Sequence, residues 1–226
     1  GKYAIFAANA MGYRSMVLDP DPAAPAGVVA HEHLVADYDD PDALDRLAAK
    51  CSVVTTEFEN PPASALDRLA RHVLVAPSAA CVAIAQDRIV EKRFMVEHGI
   101  DVGPHVALGA DAPPGALVEA HRLADRGAVV KTARLGYDGK GQQRVASAAA
   151  LDVAVAEFGG VDCIVEALLD LQLEISVVIA RTASGRTTSW PVAENVHVDG
   201  ILDLTVVPAR ISVELADQAT TIATTI

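Results

Sequence analysis

Apolar residues recur along the chain at two periods, and the alternation between them sets the expected architecture. Lys2 to Met11 is apolar and helix-compatible, with Gly12 placed to cap its end. Tyr13 to Leu18 and His33 to Ala36 read as strands, and Pro41 to Lys50 (PDALDRLAAK) as an amphipathic helix with acids first and a cation last. Cys51 to Thr55 is β-branched and predicts a strand. Pro62 to Arg71 predicts a helix and Val73 to Val75 a short strand. Such βα alternation implies an open parallel α/β sheet.

The pattern changes after Pro77. Ala79 to His98 predicts one long helix closed by Gly99. Strands are then expected at Val106 to Leu108, Ala128 to Thr132, Cys163 to Ala167, Glu174 to Ala180 and Thr187 to Ala193. Helices are expected at Gly115 to Asp125 and Ala148 to Phe158, and a turn at Gly185 to Arg186. This half is α+β with antiparallel hairpins.

Composition narrows the function. With 226 residues, 51% hydrophobic and 21% charged, the chain is long enough to bury a sizeable core and is not disordered. Lys plus Arg number 18 against 30 Asp plus Glu, a formal charge of -12. That opposes binding to nucleic acid or an anionic membrane, yet leaves room for a phosphorylated small molecule held by a local cluster of donors. No apolar run reaches membrane-spanning length, and the first residues lack a signal peptide's pattern. Cys51, Cys81 and Cys163 are too scattered for a disulfide framework or a zinc cluster and read as buried structural thiols, so the expected setting is the reducing cytoplasm.

Four stretches carry candidate chemistry. In VVKTARLGYDGKGQ, Lys131 lies near the end of an apolar strand, followed by Gly136, Gly139 and Gly141 with Arg134 and Lys140. Glycines let a backbone fold around an anion and cations offset phosphate charge. The spacing is not that of a Walker P-loop, and a solvated hairpin tip is the alternative. In IVEALLDLQLEIS, Glu166 and Glu174 flank an apolar connection that could hold a purine and its ribose; two strand-end acids facing water is the competing reading. In AENVHVDGILDLTVVPA, His197 lies between Asn195 and Asp199, at a site edge or in an ordinary hairpin. In TTEFENPP, Glu57 and Glu59 lie at the end of a parallel strand, where open α/β sheets bind ligands, or where acids cap the next helix. His31, Glu32, His33 and Asp37 lack a further ligand at zinc-like spacing, so no metal site is assigned to them.

These stretches, in this order, resemble the 5-(carboxyamino)imidazole ribonucleotide synthase family of ATP-grasp ligases. The matching segments include GYRSMVLDPDPAAPA, VVTTEFENPP, AQDRIVEK, GYDGKGQ, IVEALLDLQLEISVVIAR and ENVHVDGILDLTVVPAR, and the likeness covers nearly the whole chain. It implies an ATP-grasp fold with an N-terminal open parallel α/β (Rossmann-like) domain and an α+β ATP-binding core with a lid. The implied domains are 1–76, a connecting helix over 77–103, a small lid domain over 104–169 and the start of the large core over 170–226.

The implied reaction is carboxylation of aminoimidazole ribonucleotide by bicarbonate with ATP, in purine biosynthesis, by a homodimer. Arg88 and Lys131 resemble phosphate-contacting cations, and Gly136, Tyr137, Asp138, Gly139, Lys140, Gly141 and Gln142 a mobile loop over the triphosphate. Lys131, Asp138 and Lys140 are the implied catalytic residues. Glu166, Ala167, Leu168 and Leu169 resemble an adenine-reading hinge, Glu174 a ribose ligand and His197 a nucleotide-site histidine. Glu57, Tyr137, Asp138 and Lys140 resemble residues near the imidazole nucleotide.

The sequence departs from the family in having Lys2 in place of an arginine and Leu135 in place of a glycine. The family's first strand and glycine-rich loop are expected to precede Gly1. Its acidic magnesium ligands and substrate-phosphate segment are expected beyond Ile226. Rival readings are another ATP-grasp enzyme, of the formate-dependent glycinamide ribonucleotide transformylase or biotin carboxylase type, a Rossmann-type dehydrogenase using Asp19 as its ribose acid, and a nucleotide-binding fragment without turnover.

Overall fold

The structure is a computed structural model describing residues 1–136, 141–198 and 200–226. The chain divides into two compact units, Gly1–Gln86 and Asp87–Ile226.

In the first unit, α1 (Lys2–Ala10) leads to β1 (Met16–Leu18), a 3-10 turn (Gly27–Val29) and β2 (Glu32–Leu34). Then come α2 (Pro41–Lys50), β3 (Val53–Val54), α3 (Ala63–Ala70), β4 (Leu74–Val75) and α4 (Ala79–Ala85). The strands pair in parallel, β1 with β2 and β3 with β4, as the βα alternation requires. Helix α2 starts where its sequence says it should. Pro41 occupies the first turn, and the Asp40 carboxylate accepts a hydrogen bond from the Ala43 amide at 2.8 Å. Its apolar stripe, Ala43, Leu44 and Leu47, packs with Leu34, Ala65 and Leu69.

The second unit opens on α5 (Arg88–Glu97), β5 (His105–Leu108), α6 (Ala116–Ala124) and β6 (Ala128–Thr132). It continues through β7 (Gln142–Val145), α7 (Ala148–Glu157) and β8 (Cys163–Ala167). Strands β5 to β8 form an antiparallel sheet in the order β5-β8-β6-β7. Alternation along the strands gives the sheet two unlike faces. Ala128, Val130, Cys163 and Val165 are fully buried against Ala120, Ala124, Leu151 and Ala154 of α6 and α7. The intervening residues, Val129, Lys131, Ile164 and Glu166, therefore occupy the other face, where the site is built.

The chain then forms β9 (Glu174–Ser176), β10 (Ile179–Arg181), β11 (Thr187–Ser189), β12 (Ala193–Val198), β13 (Ile201–Val206) and α8 (Val213–Thr225). Strand β12 lies between β13 and β9, antiparallel to both, and β10 pairs with β11 across the expected Gly185 turn. Among the described residues, no helix is long and apolar enough to cross a membrane.

Three expectations are corrected. The long helix over 79–98 is two helices, because the Asp87 carboxylate accepts hydrogen bonds from the amides of Ile89 at 3.0 Å and Val90 at 3.2 Å. Asp87 is extended (φ −132°, ψ 108°) and starts a new helix by capping it. The division between the two compact units falls at this break. The strands expected over 174–180 and 187–193 each break, the first into β9 and β10, the second into β11 and the start of β12.

Candidate active site

In the second unit, Lys92 and Lys131 converge on one carboxylate. Lys131 on β6 is in register with Ile164, and Glu166 on β8 is in register with Val129. Lys131 and Glu166 are thus diagonal neighbours on the same face of the sheet, within reach of long side chains. The Lys131 ammonium donates to Glu166 Oε2, and Lys92 Nζ from α5 lies 2.9 Å from Oε1. The Glu166 side chain is 17% exposed, so it has given up most of its water and depends on these partners. Burial by itself would raise its carboxyl. The hydrogen bonds and charges of Lys131 and Lys92 outweigh burial and hold it below the ordinary carboxylate value. Neighbouring Glu91 goes the other way. Burial raises its carboxyl, against the lowering pull of Lys92 and Arg88.

Arg88 secures the root of the glycine-rich segment. Its guanidinium donates to the Thr132 carbonyl at 2.9 Å and the Gly136 carbonyl at 3.0 Å, and its amide to the Ala133 carbonyl at 2.9 Å. Arg134 approaches Asp87 at 3.6 Å, so the residue that caps α5 also meets this segment. Gly141 closes the other side, its carbonyl accepting from the Thr132 amide at 2.8 Å. At φ 69° it holds a backbone conformation that side chains disfavour, and a Cβ there would come 2.7 Å from Thr132 Oγ1. Leu135 takes the left-handed region too, at φ 61°, with its side chain exposed. Tyr137, Asp138, Gly139 and Lys140, expected to be loop, catalytic and substrate residues, lie outside the described residues, as does Asp199.

Beyond Glu166 the strand runs out into the expected hinge. The Ala167 amide donates to the Pro104 carbonyl at 2.9 Å and the Leu168 amide to the Gly127 carbonyl at 3.0 Å. Leu168 and Leu169 are half exposed, leaving apolar surface beside the backbone. On the second sheet, Glu174 is in register with Asn195, and a bulge follows between Val196 and His197. His197 Nδ1 then lies 2.5 Å from Glu174 Oε2. Asn195 is fixed between them by Ser176 at 3.1 Å and Thr205 at 3.2 Å.

The structure thus joins Arg88 with Gly136, Lys131 with Glu166, and Glu174 with His197 through direct contacts. Gln142 starts β7, paired with Lys131. Glu57 belongs to the first unit, where its side chain is exposed. His33 Nε2 contacts the Asp19 carbonyl at 3.1 Å, His31 meets Ser15, and Glu32 is held by Arg46 and Lys50. Among the described residues, no group of three or more His, Cys, Asp or Glu side chains could hold a metal ion. Sequence reasoning missed Lys92. A signal was present in RIVEK, because Arg88 and Lys92 are four apart and share one helix face.

Two family models match the chain: a ribonucleotide synthetase preATP-grasp domain over residues 1–86 and an ATP-grasp domain over residues 93–226. A relative named N5-carboxyaminoimidazole ribonucleotide synthase, from Brucella melitensis, is 43% identical over 99% of this chain and 61% of its own length. An ADP complex of N5-carboxyaminoimidazole ribonucleotide synthetase superposes with a TM-score of 0.90 at 36% identity, over 99% of this chain and 59% of the other. The Staphylococcus aureus N5-carboxyaminoimidazole synthetase, also complexed with ADP, gives 0.89 at 33% identity, over 100% of this chain and 60% of the other. The chain therefore spans about three fifths of the length of these relatives.

Proposed function

From the premise that the chain belongs to the ATP-grasp family, we propose that it is the nucleotide-binding part of an ATP-dependent carbon–nitrogen ligase. That ligase carboxylates 5-aminoimidazole ribonucleotide with bicarbonate, giving 5-(carboxyamino)imidazole ribonucleotide, ADP and phosphate in the cytoplasm. The observation that carries the reading is Lys131, paired with a largely buried carboxylate at the root of a glycine-rich segment whose opening carbonyls Arg88 holds.

Bicarbonate is a weak electrophile. Transfer of the γ-phosphoryl group to one of its oxygens makes carboxyphosphate, whose breakdown presents carbon dioxide to the substrate amine. The protein's part is to hold the phosphates, exclude water and place the amine, so positioning and electrostatics dominate over covalent catalysis. Lys131 exchanges Glu166 for a phosphate oxygen, a charge-assisted bond in a site with little water. The amides of Ala167 and Leu168 are already engaged within the chain, so the next amide, Leu169, reads the adenine edge. Glu174 takes the ribose hydroxyls, with His197 orienting its carboxylate. Asp138 and Lys140 act on the imidazole nucleotide, and a homodimer is the working assembly.

The test is ATP hydrolysis by the whole polypeptide carrying this sequence, with and without aminoimidazole ribonucleotide and bicarbonate. Stimulation by both is expected. Lys131→Ala removes a charge-assisted phosphate contact worth about 1.5–3 kcal/mol, a loss of roughly 10- to 150-fold in kcat/KM. Turnover in Lys131→Ala equal to wild type would remove this residue from the site.

A further inference from the structure

Lys92 poses a question that the nucleotide reading leaves unanswered. The nucleotide reading uses Lys131 alone, yet the carboxylate that holds Lys131 is also held by a second lysine from another element. Both carboxylate oxygens are occupied, Oε2 by Lys131 and Oε1 by Lys92 at 2.9 Å. The Lys92 side chain is 22% exposed and Lys131 28%, so neither pair is a screened surface contact.

Consider what happens when Lys131 moves to a phosphate. Glu166 is mostly out of water and cannot be left as an unpaired anion without a large penalty. The charged and titratable groups around it are Lys131 on β6, Lys92, Arg88 and Glu91 on α5, and His105, its register partner on β5. Arg88 is engaged with the Thr132 and Gly136 carbonyls, Glu91 repels a carboxylate, and His105 Nδ1 is engaged with the Gly103 carbonyl at 3.0 Å. Lys92 is the cation already in place on the second oxygen.

We infer that Lys92 is a positioning residue that keeps Glu166 paired while Lys131 is transferred to the nucleotide phosphate, so that Glu166 serves as a reversible dock for Lys131 rather than a trap. This rests on the nucleotide reading above. It adds a role for a residue outside the glycine-rich segment and the two strands that carry the other site residues.

The distinguishing experiment is a mutant cycle on ADP binding by calorimetry, using the whole polypeptide. In Lys92→Met, Glu166 has only Lys131, and pulling Lys131 away strands the carboxylate. ADP affinity should fall on the order of tenfold or more. In Lys92→Met with Glu166→Gln there is no charge to strand, and affinity should return to within about threefold of wild type. Lys92→Arg keeps the cation and should also recover most of the loss. A purely structural role for Lys92 predicts the opposite: the double variant, with both partners gone, binds no better than Lys92→Met. That result, or wild-type affinity in Lys92→Met, overturns the inference while leaving the nucleotide site standing. Absence of ADP binding in the wild-type protein overturns the nucleotide reading itself, and the role of Lys92 falls with it. Circular dichroism of each variant, matched to wild type, confirms that affinity is read on folded protein.

Discussion

Asp87→Ala is the substitution whose effect the structure specifies most fully. The side chain accepts two amide hydrogen bonds at the start of α5 and approaches Arg134 at 3.6 Å. Losing an Asp cap costs about 0.5–2 kcal/mol. The Arg134 contact is long and the Arg134 side chain is 54% exposed, so screening limits it to no more than about 0.5 kcal/mol. The sum is about 1.5 kcal/mol, most of it from the cap. In urea unfolding this moves the midpoint down by roughly 0.5–1 M at unchanged slope. Asp87→Asn separates the two contributions, because Asn caps as well as Asp but carries no charge. It should recover most of the loss. The start of α5 also sets where Arg88 and Lys92 stand, so ADP affinity should fall along with stability in Asp87→Ala and recover in Asp87→Asn. An unchanged midpoint in Asp87→Ala would refute the cap as the cause of the helix break, and equal losses in the Ala and Asn variants would assign the effect to charge.

Two further outcomes follow from the same geometry. Gly141→Ala places a methyl 2.7 Å from Thr132 Oγ1 at a positive φ, which should destabilise the protein by about 1–3 kcal/mol and weaken ADP binding; thermal unfolding and calorimetry check both, and a neutral result would show that the β6–β7 junction is not built as described. For pH, Glu166 is held below its ordinary value of 4.5. The stability it contributes is therefore complete above that value and is lost as the pH falls through its depressed folded value. The stability difference between wild type and Glu166→Gln should shrink on acidification through this window, as read by urea unfolding at a series of pH values, and a difference that grew on acidification would contradict the pairing.

Legibility in the sequence depended on whether the cause was both local and visible in the residue pattern. Helix α2 and strands β6 and β8 begin and end where the pattern puts them, because caps, β-branched runs and apolar periodicity lie within the segments. The break at Asp87 was hidden, although its cause is local. Helix-compatible residues flank it on both sides, and a lone Asp in such a run looks like a surface position unless its backbone leaves the helix. The divided strand over 174–180 was hidden for the opposite reason. Its apolar pattern is continuous, but β9 is drawn to β12 while β10 pairs with β11, a choice made by tertiary pairing that a propensity reading cannot see.

The same distinction applies within the site. Lys131 stood out because a cation in an apolar strand is rare and demands a partner. Glu166 stood out for a similar reason, at the end of three buried residues. Lys92 did not, since a lysine in a helix with Glu91, Arg93 and Glu97 nearby reads as a solvated face. Only the sheet register, which places Glu166 beside Lys131, and the start of α5, which Asp87 sets, turn that lysine inward. The residue with the least individual signal thus depends on the greatest number of non-local decisions. A cation that must stabilise a buried carboxylate in two ligand states belongs on the helix beside the site, and the residue that changes partner belongs near the strand end, where the glycine-rich segment begins.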